Sequence, residues 1–168
     1  MTILTTERLT LRHLTMSDAE ALHYIHHEVG VWTCLQGLPP ASVDDERAKI
    51  EEQLARYHEH GFGGWATVWS ETGELIGRCG LRAQVIEGQA EMELGYALSP
   101  RFWGRELASE AARGIRDYAF ASLDGAPRGP NPFRQCRLEA CRHRRRSALR
   151  ASDVVQRNRS RTFRRGKE

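Results

Sequence analysis

The chain has 168 residues, 40% of them hydrophobic, 28% charged and 8% aromatic, enough for one buried core and too little for two independent ones. No stretch approaches the roughly 20 apolar residues of a membrane-spanning helix, and MTILTTERLTLRH lacks a basic start ahead of an apolar run, so neither membrane association nor secretion is expected. The net charge of +3 conceals a division: residues 1–123 carry 11 Lys and Arg against 18 Asp and Glu, whereas residues 124–168 carry 14 against 4, and 13 of those 14 cations are arginine.

The first element is a strand at 7–14, where Leu9 and Leu11 alternate with polar residues. Ser17 and Glu20 then have the spacing of a capping box, and Leu22, Ile25 and Val29 give the following helix an apolar stripe. Gly37, Pro39 and Pro40 interrupt the chain. Ser42 opens a second helix to about residue 59, with Val43, Ile50, Leu54 and Tyr57 on one side. Gly61, Gly63 and Gly64 close it, and the period changes to two. Trp65–Trp69 and Leu75–Leu81 read as antiparallel strands around the turn Glu71–Glu74, and Ala90–Leu98 as a third. After Pro100 and Gly104 a helix runs to about Phe120, burying Leu107, Ala111, Ala112, Ile115 and Tyr118. The order β-α-α-β-β-β-α predicts a mixed α/β fold with an antiparallel sheet flanked by helices. Beyond Leu123 the pattern dissolves: prolines and glycines at 125–132 rule out an ordinary helix or central strand, and the arginines that follow share no apolar face.

Residues 93–112, ELGYALSPRFWGRELASEAA, carry the chemistry. A strand delivers into a glycine-bearing loop that enters a helix, and free amides at such a helix start form an anion site suited to phosphate. Arg101 and Arg105 add cations beside it, although a strand–glycine–helix junction alone serves packing equally well. The wider pattern resembles the GNAT superfamily of acyl-CoA-dependent N-acyltransferases. Its signature is Gln/Arg-x-x-Gly-x-Gly/Ala, and Arg101-Phe102-Trp103-Gly104 matches its first four places, with Leu107-Ala108-Ser109-Glu110-Ala111 continuing in the family's manner. Thr6-Glu7-Arg8-Leu9-Thr10-Leu11-Arg12 is similar to the opening of the Rim-type branch, which acetylates ribosomal-protein N-termini. The resemblance covers about residues 5–122.

It implies acetyl-CoA as co-substrate, no metal, and an amine acceptor, either a protein N-terminus or a small molecule. The backbone amide near Leu98 would polarise the thioester carbonyl. The amides of Arg101, Phe102, Trp103, Gly104, Arg105, Glu106, Leu107 and Ala108 would hold the pyrophosphate. Glu93, on the strand leading to the thioester, is the candidate base for deprotonating the amine; the alternative is an exposed strand carboxylate. Tyr96 and Trp103 read as core or wall. Glu106 departs from the family, which has a small residue there. It either stabilises the helix dipole from solvent or repels the pyrophosphate.

Other constellations are thinner. His23, His26 and His27 on one helix turn read as surface histidines, and Cys136, Cys141 and His143 lack a zinc spacing. Cys34, Cys79, Cys136 and Cys141 are too sparse for a disulfide scaffold, which fits a cytoplasmic location.

The family fold would continue with a strand, a helix and a closing hairpin, none of which is legible after residue 123. The chain therefore reads as an incomplete GNAT-like acyl-CoA-binding domain at 1–123 and an Arg/Pro-rich tail at 124–168, disordered or out of frame. Synonymous codons exist for Ala126–Cys141 that, read one base later, encode RLVALIHSDNVASRRV, which resembles the absent strand and the Asn-x-x-Ser turn after it. A frameshift between about Leu123 and Ala126 accounts for this. The loss would expose a sheet edge, favouring a homodimer and lowering activity. Two alternatives remain: an inactive remnant or acyl-CoA-binding module, and a nucleic-acid-binding protein acting through the tail. The tail has only two aromatic residues, Phe133 and Phe163, and no recognisable fold for base recognition, so its contacts with nucleic acid are expected to be nonspecific.

Overall fold

The computed structural model of the chain describes residues 1–31, 38–86, 89–122 and 136–139. A six-stranded sheet runs in chain order: β1 (Thr2–Thr5), β2 (Leu9–Arg12), β3 (Gly64–Trp69), β4 (Leu75–Ile86), β5 (Gln89–Leu98) and β6 (Cys136–Glu139). Every neighbouring pair is antiparallel except β5–β6, which is parallel. Helices α1 (Ala19–His27) and α2 (Val43–His60) pack on one face of the sheet and α3 (Leu107–Ser122) on the other. The expected mixed sheet flanked by helices is what forms.

Strand β3 shows how the two faces are divided. Trp65 joins the cluster that contains Leu107, Ala111 and Ile115 of α3, whereas Ala66 joins Leu22 of α1 and Ile50 of α2. Successive side chains of a strand point to opposite faces, so a strand covered on both sides needs apolar residues at every position. A polar interruption, Thr67, is nonetheless fully buried in β3.

Local chemistry sets the helix limits. Ser42 Oγ accepts from the Asp45 amide at 3.1 Å while Asp45 Oδ2 accepts from the Ser42 amide at 3.0 Å, closing the start of α2. At the other end Gly61 adopts φ +76° and its amide donates to Tyr57 O at 3.0 Å. The cap ahead of α1 is not the expected Ser17–Glu20 pair. Thr15 precedes a 3-10 turn at Met16–Asp18, and its amide donates to Asp18 Oδ2 at 2.8 Å. Asp18 also receives both Nη atoms of Arg12, at 2.7 and 2.8 Å, which draws the turn toward β2 and leaves Ser17 on the surface with Thr15.

Four other expectations are corrected. Helix α1 ends at His27, so Val29 lies beyond it and is 89% exposed. On α2 the buried stripe is Glu46, Ile50 and Tyr57, which turns Leu54 to the margin, where it is exposed. Tyr118 is half-buried, and Ala119 takes the inward place. Finally, Cys136–Glu139, expected to lack structure, pairs with Met92–Gly95 of β5. Main-chain hydrogen bonds to an open strand edge favour such pairing even in a segment too short to display a period. Cys34, Cys141 and His143 and the rest of the tail lie outside the described residues.

Candidate active site

The site begins where β4 closes on β5. Gly77 has φ +147°, and a Cβ there would lie 2.1 Å from Ala97 O, so only glycine allows the two strands to meet at this point. The amide of Ser99 donates to Ile76 O at 2.9 Å. Because main-chain groups alternate sides along a strand, the N–H and C=O of Leu98 point away from β4. Leu98 O accepts from Trp103 Nε1 at 2.7 Å, in agreement with that direction. Strand β6 pairs with β5 no further than Gly95, so the Leu98 amide, turned to that side, has no strand partner among the described residues. Beside it lies an apolar recess of about 40 Å³ lined by Val31, Tyr96, Ala97, Leu98, Trp103 and Ala108.

The loop after Leu98 turns sharply. The Phe102 amide donates to Ser99 O at 2.9 Å and the Trp103 amide to Pro100 O at 3.1 Å, forming a 3-10 turn at Pro100–Phe102. Gly104 then takes φ +75° and Glu106 φ +62°. The first helical bond runs from the Glu110 amide to Glu106 O at 2.9 Å, so the amides of Leu107, Ala108 and Ser109 precede any intrahelical acceptor. Phe102 and Leu107 are buried, Trp103 and Ala108 half-buried, and Arg101, Gly104, Arg105 and Glu106 exposed. Arg101 reaches Glu74 Oε1 at 3.2 Å. The guanidiniums of Arg101 and Arg105 lie 5.8 and 5.5 Å from the Phe102 ring centre. Glu106 thus stands in solvent in a left-handed conformation that suits glycine, which gives a backbone reason for the small residue expected there.

Glu93 is only 4% exposed, so the reading as an exposed strand carboxylate is corrected. It sits opposite Arg82 in the β4–β5 ladder, and Arg82 Nε donates to its Oε2 at 3.0 Å, with Nη2 as a second donor. On the same side of the sheet His26 Nδ1 lies 2.8 Å from Glu46 Oε2 in a fully buried pair. Burial lowers the His26 pKa, as do the nearby charges of Arg78 and Lys49, against the opposing pull of Glu46. Burial alone would raise the Glu46 pKa, but the bond from His26 and the charges of Arg78 and Lys49 outweigh it and hold Glu46 low. Near neutral pH His26 is therefore uncharged, its Nδ1–H donates to the Glu46 carboxylate, and its Nε2 carries a lone pair.

The expectation of three surface histidines fails at His26, which is 1% exposed. Its spacing of four from Leu22 is the signal for an inward position; its partner, among the acids opening α2, carries no such signal. Among the described residues no three His, Cys, Asp or Glu side chains gather as metal ligands would. Cys79 is buried, and burial pushes its thiol up to about 12, which makes it a small hydrophobe without thiolate chemistry.

The Acetyltransferase (GNAT) domain family matches residues 8–150 of the chain. The protein YkkB of Bacillus subtilis is 34% identical over 122 residues, covering 71% of this chain and 69% of its own. The N-acetyltransferase p20 of Bacillus licheniformis is 32% identical over 124 residues, 74% of this chain and 69% of its own. Among solved structures, an acetyltransferase from Agrobacterium tumefaciens superposes with a TM-score of 0.59 at 35% identity, covering 74% of this chain and 69% of that one. The coenzyme A complex of RimL, a ribosomal L7/L12 alpha-N-protein acetyltransferase, superposes with a TM-score of 0.60 at 17% identity, over 82% and 73% of the two chains, and shares the fold. On the strength of a domain match over most of its length and relatives above 30% identity, the chain belongs to the GNAT acetyltransferase family.

Proposed function

We propose that this acyl-CoA N-acyltransferase moves an acetyl group from acetyl-CoA to a primary amine by direct attack. The lone pair of the uncharged amine forms the new N–C bond at the thioester carbonyl. The carbonyl oxygen, briefly anionic, is held by the Leu98 amide. The C–S bond then breaks with its electron pair on the coenzyme A sulfur, which takes a proton. The proton leaving nitrogen passes to Glu93, directly or through water. Arg101–Ala108 cradles the pyrophosphate, the donors being the amides from Gly104 onward, because those of Phe102 and Trp103 already close the turn. The observation that carries this reading is the Leu98 main chain turned away from β4, next to a loop that ends in a helix start whose first amides have no intrahelical acceptor.

The acceptor is a small-molecule amine or a protein N-terminus. The Rim-type opening at Thr6–Arg12 supports the second, and RimL is one neighbour in fold among several. We further propose that residues 124–168 result from a frameshift after about Leu123. The abrupt change from 18 acids and 11 cations to 14 cations and 4 acids supports it. Codons that cannot encode the RLVALIHSDNVASRRV peptide one base later would overturn it.

The experiment is calorimetric titration with acetyl-CoA in moderate salt, followed by thiol release with an amine panel. Micromolar binding that Gly104→Trp abolishes is expected. Glu93→Gln should retain that binding while kcat falls by about 10²–10⁴. Absence of binding by both this chain and a version with the frame restored would overturn the reading.

A further inference from the structure

A cavity of about 210 Å³ opens between α2 and the β4–β5 ladder, on the face opposite α3. It is smaller than the roughly 300–1,000 Å³ that drug-sized ligands occupy, and so has the scale of a small metabolite. Its floor is made by facing ladder positions, Arg78 with Ala97, Gly80 with Gly95 and Arg82 with Glu93. The small residues in the middle leave room: a Cβ placed on Gly95 would touch nothing within 4 Å. Helix α2 supplies the opposite wall with Lys49 and Arg56, seven residues apart and hence on one side of the helix.

The charges on these walls do not balance. Arg82 is matched by Glu93. Arg78, Lys49 and Arg56 form no salt bridge among the described residues. Glu46 is the carboxylate that attracts Arg78, and it also faces Lys49, while Arg56 and Arg82 repel Arg78. His26 also lines the cavity, and its buried Nε2 has no partner among the described residues. Three cations that share the single carboxylate of Glu46, beside an unused acceptor atom, describe a site prepared for a ligand that brings both an anion and an N–H donor.

We propose that this cavity is the acceptor subsite and that the acceptor is a small amine carrying an anionic group, a carboxylate or a phosphate, seated on Arg78 with Lys49 and Arg56. The assignment rests on the acetyl-transfer reading, because Glu93, the base in that reading, lines the same cavity. A guanidinium offers paired donors to either oxyanion, and its charge stays fixed over the working pH range. An amine without an acid would leave the excess of positive charge over Glu46 unmatched.

The test uses the full chain and two matched pairs of probes: 4-aminobutyrate against butylamine, and 2-aminoethyl phosphate against 2-aminoethanol. Binding is measured calorimetrically in the presence of coenzyme A. The acidic member of at least one pair is expected to bind about tenfold or more tightly than its uncharged-tail partner. Whichever pair shows the larger gap identifies carboxylate or phosphate as the group recognised. Arg78→Gln should remove the preference, and Arg56→Gln, at an exposed position that folding does not depend on, should reduce it. The arginine-rich tail is the same in all of these proteins, so a preference that survives both substitutions would place the anions on the tail and overturn the proposal. Equal binding within both pairs, or no binding of any probe, would overturn it too. Thiol release separates the two readings. Equal turnover of both members of each pair sinks the anionic subsite and leaves acetyl transfer standing, whereas selective binding of acidic amines without thiol release leaves the subsite and sinks the transfer.

Discussion

At the residue scale, Glu106 and His26 make the sharpest predictions. Glu106 adopts φ +62° with its side chain in solvent, a conformation that costs a non-glycine residue about 1 kcal/mol. Glu106→Gly should therefore raise stability by roughly 0.5–1 kcal/mol and tighten acetyl-CoA binding, since a carboxylate also leaves the mouth of the pyrophosphate loop. Thermal unfolding and calorimetry check the two parts separately. His26 is packed against Glu46, with Arg78 and Lys49 near enough to act on its charge. Its folded pKa lies below the ordinary 6.5, so from 6.5 downward the unfolded chain takes up a proton that the folded one refuses, and stability falls as pH falls. His13, also lowered by burial and by the N-terminal charge, acts in the same sense. Asp18, Glu46 and Glu110 are held below the carboxylate range, and their stabilisation is lost only at more acid pH. Urea midpoints taken between pH 7.5 and 5 should drop for the parent and less steeply for His26→Gln. Parallel profiles would remove His26 as the source.

At the scale of elements, the β4–β5 ladder and the pin between α3 and the β1–β2 turn hold the site together. Gly77→Ala would push a methyl into Ala97 O while demanding a left-handed backbone. A loss of about 2–4 kcal/mol is expected, together with loss of acetyl-CoA turnover, because Leu98 could no longer keep its direction. Chemical unfolding and thiol release measure both. Helix α3 is tied down by Glu110, which accepts from Thr6 Oγ1 at 2.6 Å, from the Arg8 amide at 2.8 Å and from Arg8 Nε at 2.8 Å. Burial alone would raise the Glu110 pKa, but these donors outweigh it. Glu110→Ala should cost about 2 kcal/mol, read as a shift in urea midpoint. Neither tie is visible in sequence, because Arg8 and Glu110 are far apart in the chain and nothing local marks them as partners. The elements themselves were legible wherever a period had room to develop. Leu9 and Leu11 gave β2, Ser42 and Gly61 bounded α2, and the glycine at 104 marked the loop into α3. Strand β1 escaped because its central Ile3 and Leu4 are adjacent and only half-buried, as on a sheet edge, so no alternation forms.

At the scale of the whole molecule, an acidic body is joined to a strongly basic tail within one chain. If the frame proposal holds, the chain with residues 124 onward restored should unfold at higher temperature and turn over faster than this one; equal values in both assays would defeat it. The candidate site divides along the same line of legibility. The phosphate loop could be read because glycine, helix start and flanking arginines are contiguous. The cationic cavity could not, because Lys49, Arg56 and Arg78 meet only after α2 has packed across β4. Strand β6 carries one more consequence, in the order of assembly. Each antiparallel strand from β2 onward can settle on its predecessor as the chain lengthens, but β6 joins β5 in parallel and needs a crossover through all of α3. During synthesis the edge of β5 that carries Leu98 is therefore bare for as long as it takes to make α3 and the proline-rich segment behind it. A nascent chain in that interval presents an unpaired strand to its neighbours, and chaperone demand and co-translational aggregation should concentrate there.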